Sequence, residues 1–374
     1  MIANCTHSHQ NTISGPGIPD SRTERVSRSV SGPRNRSEAS QDAAVRGAAA
    51  WTPYNPGVTQ ALSRHDRVLG CLIGGAVGDA LGYQVEFDAW RFIEEEWGPG
   101  GVTEMRYNRV SDDTQMTLFT AEGLLLAPPG GEVESVRQAY LRWLETQREP
   151  MPPLASEGLA AQPWLYARRA PGNACITGLA HGARPGVNPN SKGCGTVMRS
   201  APFGLRHSPA EAYDLAERCS ALTHGHPTAG ASAGAFAMIV SHLMNGETPQ
   251  RAVSETLLHL RRDRSRAETA DALQHAFARA GNVPPGPNTC APLGEGWVAE
   301  EALAIAVYCL LGTDDVRAGL VAAVSHGGDS DSTGAILGNL YGAAYGHAAL
   351  PREWSSQVEG RELITALAKL LAES

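Results

Sequence analysis

Gly328-Asp329-Ser330-Asp331-Ser332-Thr333-Gly334-Ala335-Ile336-Leu337-Gly338-Asn339-Leu340-Tyr341-Gly342 sets two carboxylates and three hydroxyls, all within residues 329–333, at the head of a run rich in apolar and small residues. Oxygen donors so concentrated suit hard divalent ions such as Mg2+ and Mn2+. A calcium loop does not fit. With Asp329 at the first position, Asp331, Thr333 and Gly334 suit the third, fifth and sixth, but Leu340 stands where the bidentate Glu belongs. The remaining ligands must therefore come from another part of the chain.

The glycines that follow set the fold. Gly334, Gly338, Gly342 and Gly346 recur every four residues, and the same spacing appears as Gly70, Gly74, Gly78 and Gly82. Glycine inside a helix costs roughly 0.5–1 kcal/mol relative to alanine, so two such rows need compensation. Residues four apart share a helix face, and a face without side chains lets two backbones approach. Two tightly packed central helices are expected, one leading to Glu86 and the other following Asp331. Asp79 and Asn339 interrupt the apolar runs, which argues against a membrane pair.

Around this pair the chain reads as helices joined by Gly/Pro loops. Helices are predicted over 62–83, 114–126, 136–146, 209–222, 228–245 and 298–311, with one or two more over 249–280. Loops are predicted over 150–158, 170–196 and 283–296. No convincing alternating strand pattern emerges, so the expected class is all-α, a compact multi-helix bundle. Residues 1–50 contain no Leu, Phe, Trp or Tyr and are rich in Ser, Gly, Pro, Asn and Arg. Such a segment cannot bury enough apolar area to offset its ordering entropy. Residues 1–60 therefore read as a flexible extension, with Trp51 and Tyr54 as its first anchors, and 61–374 as the main domain.

Composition narrows the function. The 374 residues carry a net charge of −8, which gives no general reason to bind nucleic acid or an anionic membrane. Seven cysteines without a CxxC pair argue against a disulfide framework and a structural zinc site, and fit a reducing cytoplasm. No run of 18 apolar residues is present.

Ser111-Asp112-Asp113-Thr114 is a second oxygen-rich cluster ahead of a helix, about 215 residues before the first. Alone it reads as an N-cap. Paired with residues 329–333 it can complete a two-metal site, with both helix dipoles helping to gather the carboxylates. Glu86 follows the first glycine row closely enough to reach the same centre.

Taken in order, Gly74-Gly75-Ala76-Val77-Gly78-Asp79-Ala80-Leu81-Gly82 with Glu86, then Ser111-Asp112-Asp113-Thr114, Lys192-Gly193-Cys194-Gly195-Thr196-Val197-Met198-Arg199, Thr223-His224 and Gly328-Asp329-Ser330-Asp331-Ser332-Thr333 resemble the ADP-ribosylglycohydrolase family. The resemblance spans about residues 65–350 through five motifs. It implies an all-α bundle around two Mg2+ or Mn2+ ions and hydrolysis of ADP-ribose from modified proteins. It further implies that Ser111, Asp112, Asp113 and Asp331 hold one ion, and that Asp329, Asp331 and Ser332 hold the other, with Asp331 bridging. Glu86, Asp113 and Asp331 would be catalytic. Gly193, Cys194, Gly195, Thr196 and His224 would line the substrate site, with Cys194 standing where many members have Asn. Arginine is the first expectation for the acceptor, ahead of serine or a free ADP-ribose derivative.

Three other readings compete. Gly230-Ala231-Ser232-Ala233-Gly234 matches a serine-hydrolase elbow, but it lies in a predicted helix with no strand before it. Gly193-x-Gly195 lacks the third glycine of a dinucleotide fingerprint, since Met198 takes its place. The family also includes immunity proteins, so residues 1–60 are a candidate arm that blocks an ADP-ribosyltransferase toxin.

Overall fold

The computed structural model describes residues 62–374. The extension expected over 1–60, its anchors Trp51 and Tyr54, and the blocking-arm reading lie outside the described residues. Within them the order is α1 (Arg64–Tyr83), α2 (Trp90–Trp97), α3 (Asp112–Leu125), α4 (Glu132–Thr146), α5 (Asn173–Ala180), α6 (Ala201–Arg206), α7 (Pro209–Ser220) and α8 (Pro227–Met244). It continues with α9 (Pro249–Leu260), α10 (Ala267–Ala280), α11 (Ala299–Gly312), α12 (Val316–Val324), α13 (Ser330–Tyr345), α14 (Arg352–Ser355) and α15 (Arg361–Glu373). No strand occurs among the described residues. Their one isolated β-bridge joins Gly193 to Val298.

The two glycine helices, α1 and α13, pack against each other along their length. They run antiparallel, with Gly70 against Gly342, Gly74 against Gly338 and Gly78 against Gly334. A methyl carbon on Gly70 would lie 2.7 Å from the carbonyl oxygen of Gly342, and one on Gly74, Gly78, Gly334 or Gly338 would overlap the facing backbone still more. Polar residues lock the register. Asn339 Nδ2 donates to the Cys71 carbonyl at 2.7 Å, and Arg67 Nη1 donates to the last-turn carbonyls of Ala343 and Ala344 at 2.7 and 2.8 Å. Asn339, which reads as an interruption of an apolar run, is thus a cross-link. Helix α15 covers α1, while α8, α11 and α12 cover α13.

Most helices lie close to the predicted stretches, and the differences have local causes. Helix α3 starts at Asp112 rather than Thr114, because Ser111 is the N-cap and the acidic pair occupies the first turn, where the dipole favours it. The 249–280 stretch divides at 261–266, where Asp263 caps a short 3-10 turn. Part of the expected 170–196 loop is α5, a helix too short for periodicity to reveal, which buries Cys175 and Leu179. Ser232 is fully buried in α8 and bonded to Thr269 Oγ1 at 2.9 Å, so no nucleophile elbow exists there. No helix among the described residues is long and apolar enough to cross a membrane.

The glycine contact yields a test. Ala ordinarily favours a helix over Gly, but Gly74→Ala and Gly338→Ala are each expected to destabilise the protein by about 3 kcal/mol or more, since backbone cannot yield as a side chain would. Gly100→Ala, where an added carbon meets nothing within 4 Å, is expected to stay within about 0.5 kcal/mol of the parent. Urea unfolding midpoints measure both.

Candidate active site

Where α1 and α13 meet at Gly82 and Ser330, the N-terminus of α13 delivers Asp329 as cap residue and Asp331 in the first turn. Asp79, one turn back along α1 and fully buried, reaches to α3 instead. Its carboxylate accepts from Ser111 N at 2.9 and 3.1 Å, from Thr114 N at 3.0 Å and from Thr114 Oγ1 at 2.5 Å. Asp79 therefore caps a helix other than its own, while Ser111 Oγ accepts the Asp113 N–H at 3.2 Å and donates to Asp113 Oδ2 at 3.4 Å. With those donors satisfied, the carboxylates of Asp112 and Asp113 are left to face a cavity of about 310 Å3.

That cavity brings together Glu86, Asp112, Asp113, Asp329, Asp331 and Ser332 with Gly193, Cys194, Gly195 and His224. Glu86, Asp329 and Asp331 each offer an oxygen within 4.8 Å of the others, a group able to hold a metal ion. Asp331 is the electrostatic centre: Glu86 and Asp329 both lie within hydrogen-bonding reach of it. Burial, followed by the charge of Asp331, pushes the carboxyls of Asp112, Asp113 and Asp329 well above their ordinary range. The same two causes raise Glu86 to about 10 and Asp79 to about 7, the latter held back by its bonds from Thr114 and Ser111. Glu86 Oε2, Asp113 Oδ1 and Asp329 Oδ2 are buried without a hydrogen-bond partner. Unpaired oxygens cost free energy when buried, and a set of hard, mutually repelling donors fits divalent cations.

Two sequence-predicted residues do not line the cavity. Ser111 Oγ caps α3 while lying 3.4 Å from Asp113 Oδ2, and Thr196 Oγ1 donates to the Ala229 carbonyl at 3.0 Å, anchoring the turn to α8. Cys194 points at the acidic cluster, where its thiol bonds with Asp329 and Ser332, and burial keeps it protonated. Its N–H donates to Trp297 O at 3.2 Å, and Ala299 N donates to Lys192 O at 2.8 Å, so the turn is bound to the start of α11. His224 stays neutral. Burial, then the nearby Arg199 charge, lowers it to about 3. Arg199 Nη2 donates to Thr223 Oγ1 at 2.7 Å, and Thr223 Oγ1 lies 2.7 Å from His224 Nδ1 and 3.3 Å from the Ser220 carbonyl, which leaves the imidazole Nε2 on the side of the glycine turn.

Sequence reasoning missed three participants. Asp79 carried no signal beyond being an acid in a glycine helix. Phe87 and Trp297 line the cavity and stack on one another with centroids 5.5 Å apart, a pairing that no local pattern announces. A second cleft of about 320 Å3, lined by Asp314, Asp315, Arg317 and Glu353 among others, contains none of the motif residues.

The raised carboxyls define a pH test. A group raised on folding contributes stability that is full below its ordinary pKa and lost as pH rises through the folded value, here from about 4 through about 7 for Asp79 and about 10 for Glu86. In chelator, Tm is expected to fall from about pH 5 to about pH 9, and Mg2+ or Mn2+ to restore it more at the alkaline end. A Tm in chelator that is flat across this range contradicts the electrostatic reading.

Comparison with known proteins agrees with this architecture. Residues 60–374 match the family model described as ADP-ribosylglycohydrolase. The chain is 28% identical over 313 residues to the ADP-ribosyl-[dinitrogen reductase] glycohydrolase of Rhodospirillum rubrum, covering 79% of this chain and 92% of that one. It is 25% identical over 311 residues to the ADP-ribosylarginine hydrolase Tri1 of Serratia proteamaculans, covering 82% and 79%. It is 26% identical over 363 residues to the ADP-ribosylhydrolase ARH3 of Bos taurus, covering 87% and 97%. A solved structure described as an ADP-ribosylglycohydrolase-related protein complex superposes with a TM-score of 0.61 at 27% identity, covering 83% of this chain and 98% of that one. The chain belongs to the ADP-ribosylglycohydrolase family.

Proposed function

We propose that residues 61–374 form a catalytic unit that hydrolyses the glycosidic bond between ADP-ribose and a modified protein, with arginine as the acceptor. The observation that carries this reading is the convergence of buried carboxylates from two helix N-termini in one cavity beneath a Gly-Cys-Gly turn. Relatives named for ADP-ribosylarginine and dinitrogen reductase support the arginine linkage. Unpaired cysteines among the described residues accord with a cytoplasmic location.

The donor set supports two Mg2+ or Mn2+ ions, one held by Ser111, Asp112, Asp113 and Asp331 and the other by Asp329, Asp331 and Ser332. When bound, such ions supply positive charge and Lewis acidity beside the scissile bond. The remaining chemistry belongs to side chains, whose carboxyls are ionised when the site holds cations. Breaking the bond from the anomeric carbon to nitrogen leaves oxocarbenium-like charge, which Asp113, Asp331 and Glu86 stabilise. Glu86 or Asp113 takes the proton of the attacking water, and the departing guanidine gains one, so the proton count closes. The Gly193-Cys194-Gly195 turn shapes the substrate wall, with the Cys194 thiol directed at the acidic cluster. Thr196 fixes that turn, and His224 presents a neutral imidazole to it.

Two measurements test the reading. A panel of ADP-ribosyl-arginine, ADP-ribosyl-serine and O-acetyl-ADP-ribose is expected to show turnover of the arginine conjugate with Mg2+ or Mn2+ and its loss in chelator. Asp331→Ala is expected to abolish both cation binding by calorimetry and hydrolysis, a loss of at least about 1,000-fold. Normal turnover by that variant would overturn the site assignment, and preference for another conjugate would overturn the acceptor.

A further inference from the structure

The segment joining α1 to α2 carries Glu86 into the cavity of acidic side chains. Glu86 shares its space with Asp331, Asp329 and Asp112, and its Oε2 has no hydrogen-bond partner. The residue after it is conformationally unusual. Phe87 has φ +73°, in the left-handed region that an aromatic residue rarely adopts, and its side chain is 69% exposed. Burial of its own ring therefore cannot account for the turn.

The ring is nevertheless placed. It stacks on Trp297 at 5.5 Å with planes 14° apart, and both residues line the cavity. Trp297 is the fixed member. Its carbonyl accepts from Cys194 N, its indole Nε1 donates to Glu295 Oε2 at 3.2 Å, and Glu301 Oε2 accepts from Glu295 N at 3.1 Å and Gly296 N at 3.3 Å. The other side of the turn is held just upstream. Val85 is buried, and Gln84 exchanges bonds with Glu104 O at 3.0 Å and Arg106 N at 3.2 Å. Between these anchors the left-handed residue sends Glu86 inward and its own ring outward.

We propose that Phe87 is a positioning residue whose stack on Trp297 latches the 86–88 turn and so holds Glu86 among the catalytic carboxylates. This rests on the hydrolase reading for its kinetic consequence but not for its structural one. Without the ring contact, the left-handed backbone at Phe87 favours release of the turn.

A set of variants separates the latch from simple damage. Phe87→Ala and Trp297→Ala are each expected to lower kcat on ADP-ribosyl-arginine about tenfold, the rate equivalent of one aromatic contact, with KM little changed. The double variant is expected to be no worse than either single one. Phe87→Tyr, which keeps a stacking ring, is expected to recover most of the lost turnover, and Phe87→Ala is expected to add nothing in a Glu86→Gln background. Independently of activity, hydrogen exchange of residues 84–89 is expected to quicken at least about fivefold in Phe87→Ala. Additive losses in the double variant, or a loss that persists with Glu86→Gln, would overturn the latch. If the parent hydrolyses none of the conjugates, the hydrolase reading falls and the exchange measurement alone decides, unchanged exchange overturning the latch.

Discussion

The contact of backbone against backbone between α1 and α13 is the constraint on which the rest of the structure depends. Four-residue glycine spacing removes side chains from one face of each helix, and the facing carbonyls then lie where a methyl would otherwise be. Close approach replaces what glycine sacrifices in helix propensity with dispersion contacts and with the cross-links of Asn339 and Arg67. Its functional result appears at one end of the pair. Gly82 against Ser330 sets the start of α13 beside the end of α1, so Asp329 and Asp331 emerge next to the segment that carries Glu86.

Gathering these acids opposes stability, and the fold manages the opposition locally. Two helix N-termini aim their dipoles at the carboxylates, and Asp79 satisfies the donors at the start of α3 so that Asp112 and Asp113 remain available. Cys194 contributes a protonated thiol to Asp329. What remains unpaired, on Glu86, Asp113 and Asp329, is the part a cation would complete. The cluster thus resembles a ligand cage more than a set of salt bridges.

Much of this was legible from residue spacing. Oxygen-rich motifs ahead of apolar runs announced both N-termini, and the glycine rows announced the pair between them. Even so, the capping reading of Ser111 holds, since Ser111 Oγ accepts from Asp113 N at the start of α3. The interrupting Asp79 and Asn339 were legible only as arguments against a membrane span, because their partners lie on other helices. Short α5 fell inside a predicted loop, since eight residues are too few to show a period. Phe87 and Trp297 went unnoticed because each is an ordinary aromatic in its own stretch, and they meet across 210 residues of chain.

The sequence by itself determined the helical class, the pairing of the glycine helices and the oxygen chemistry of the site, because each is written in local period or residue type. Only the tertiary structure decided which acids share one cavity, that Asp79 supports a helix other than its own, that Cys194 faces the acidic cluster, and that Phe87 rests on Trp297. Those outcomes depend on distances between segments far apart in the chain, and such distances exist only once the backbones of α1 and α13 have closed on each other.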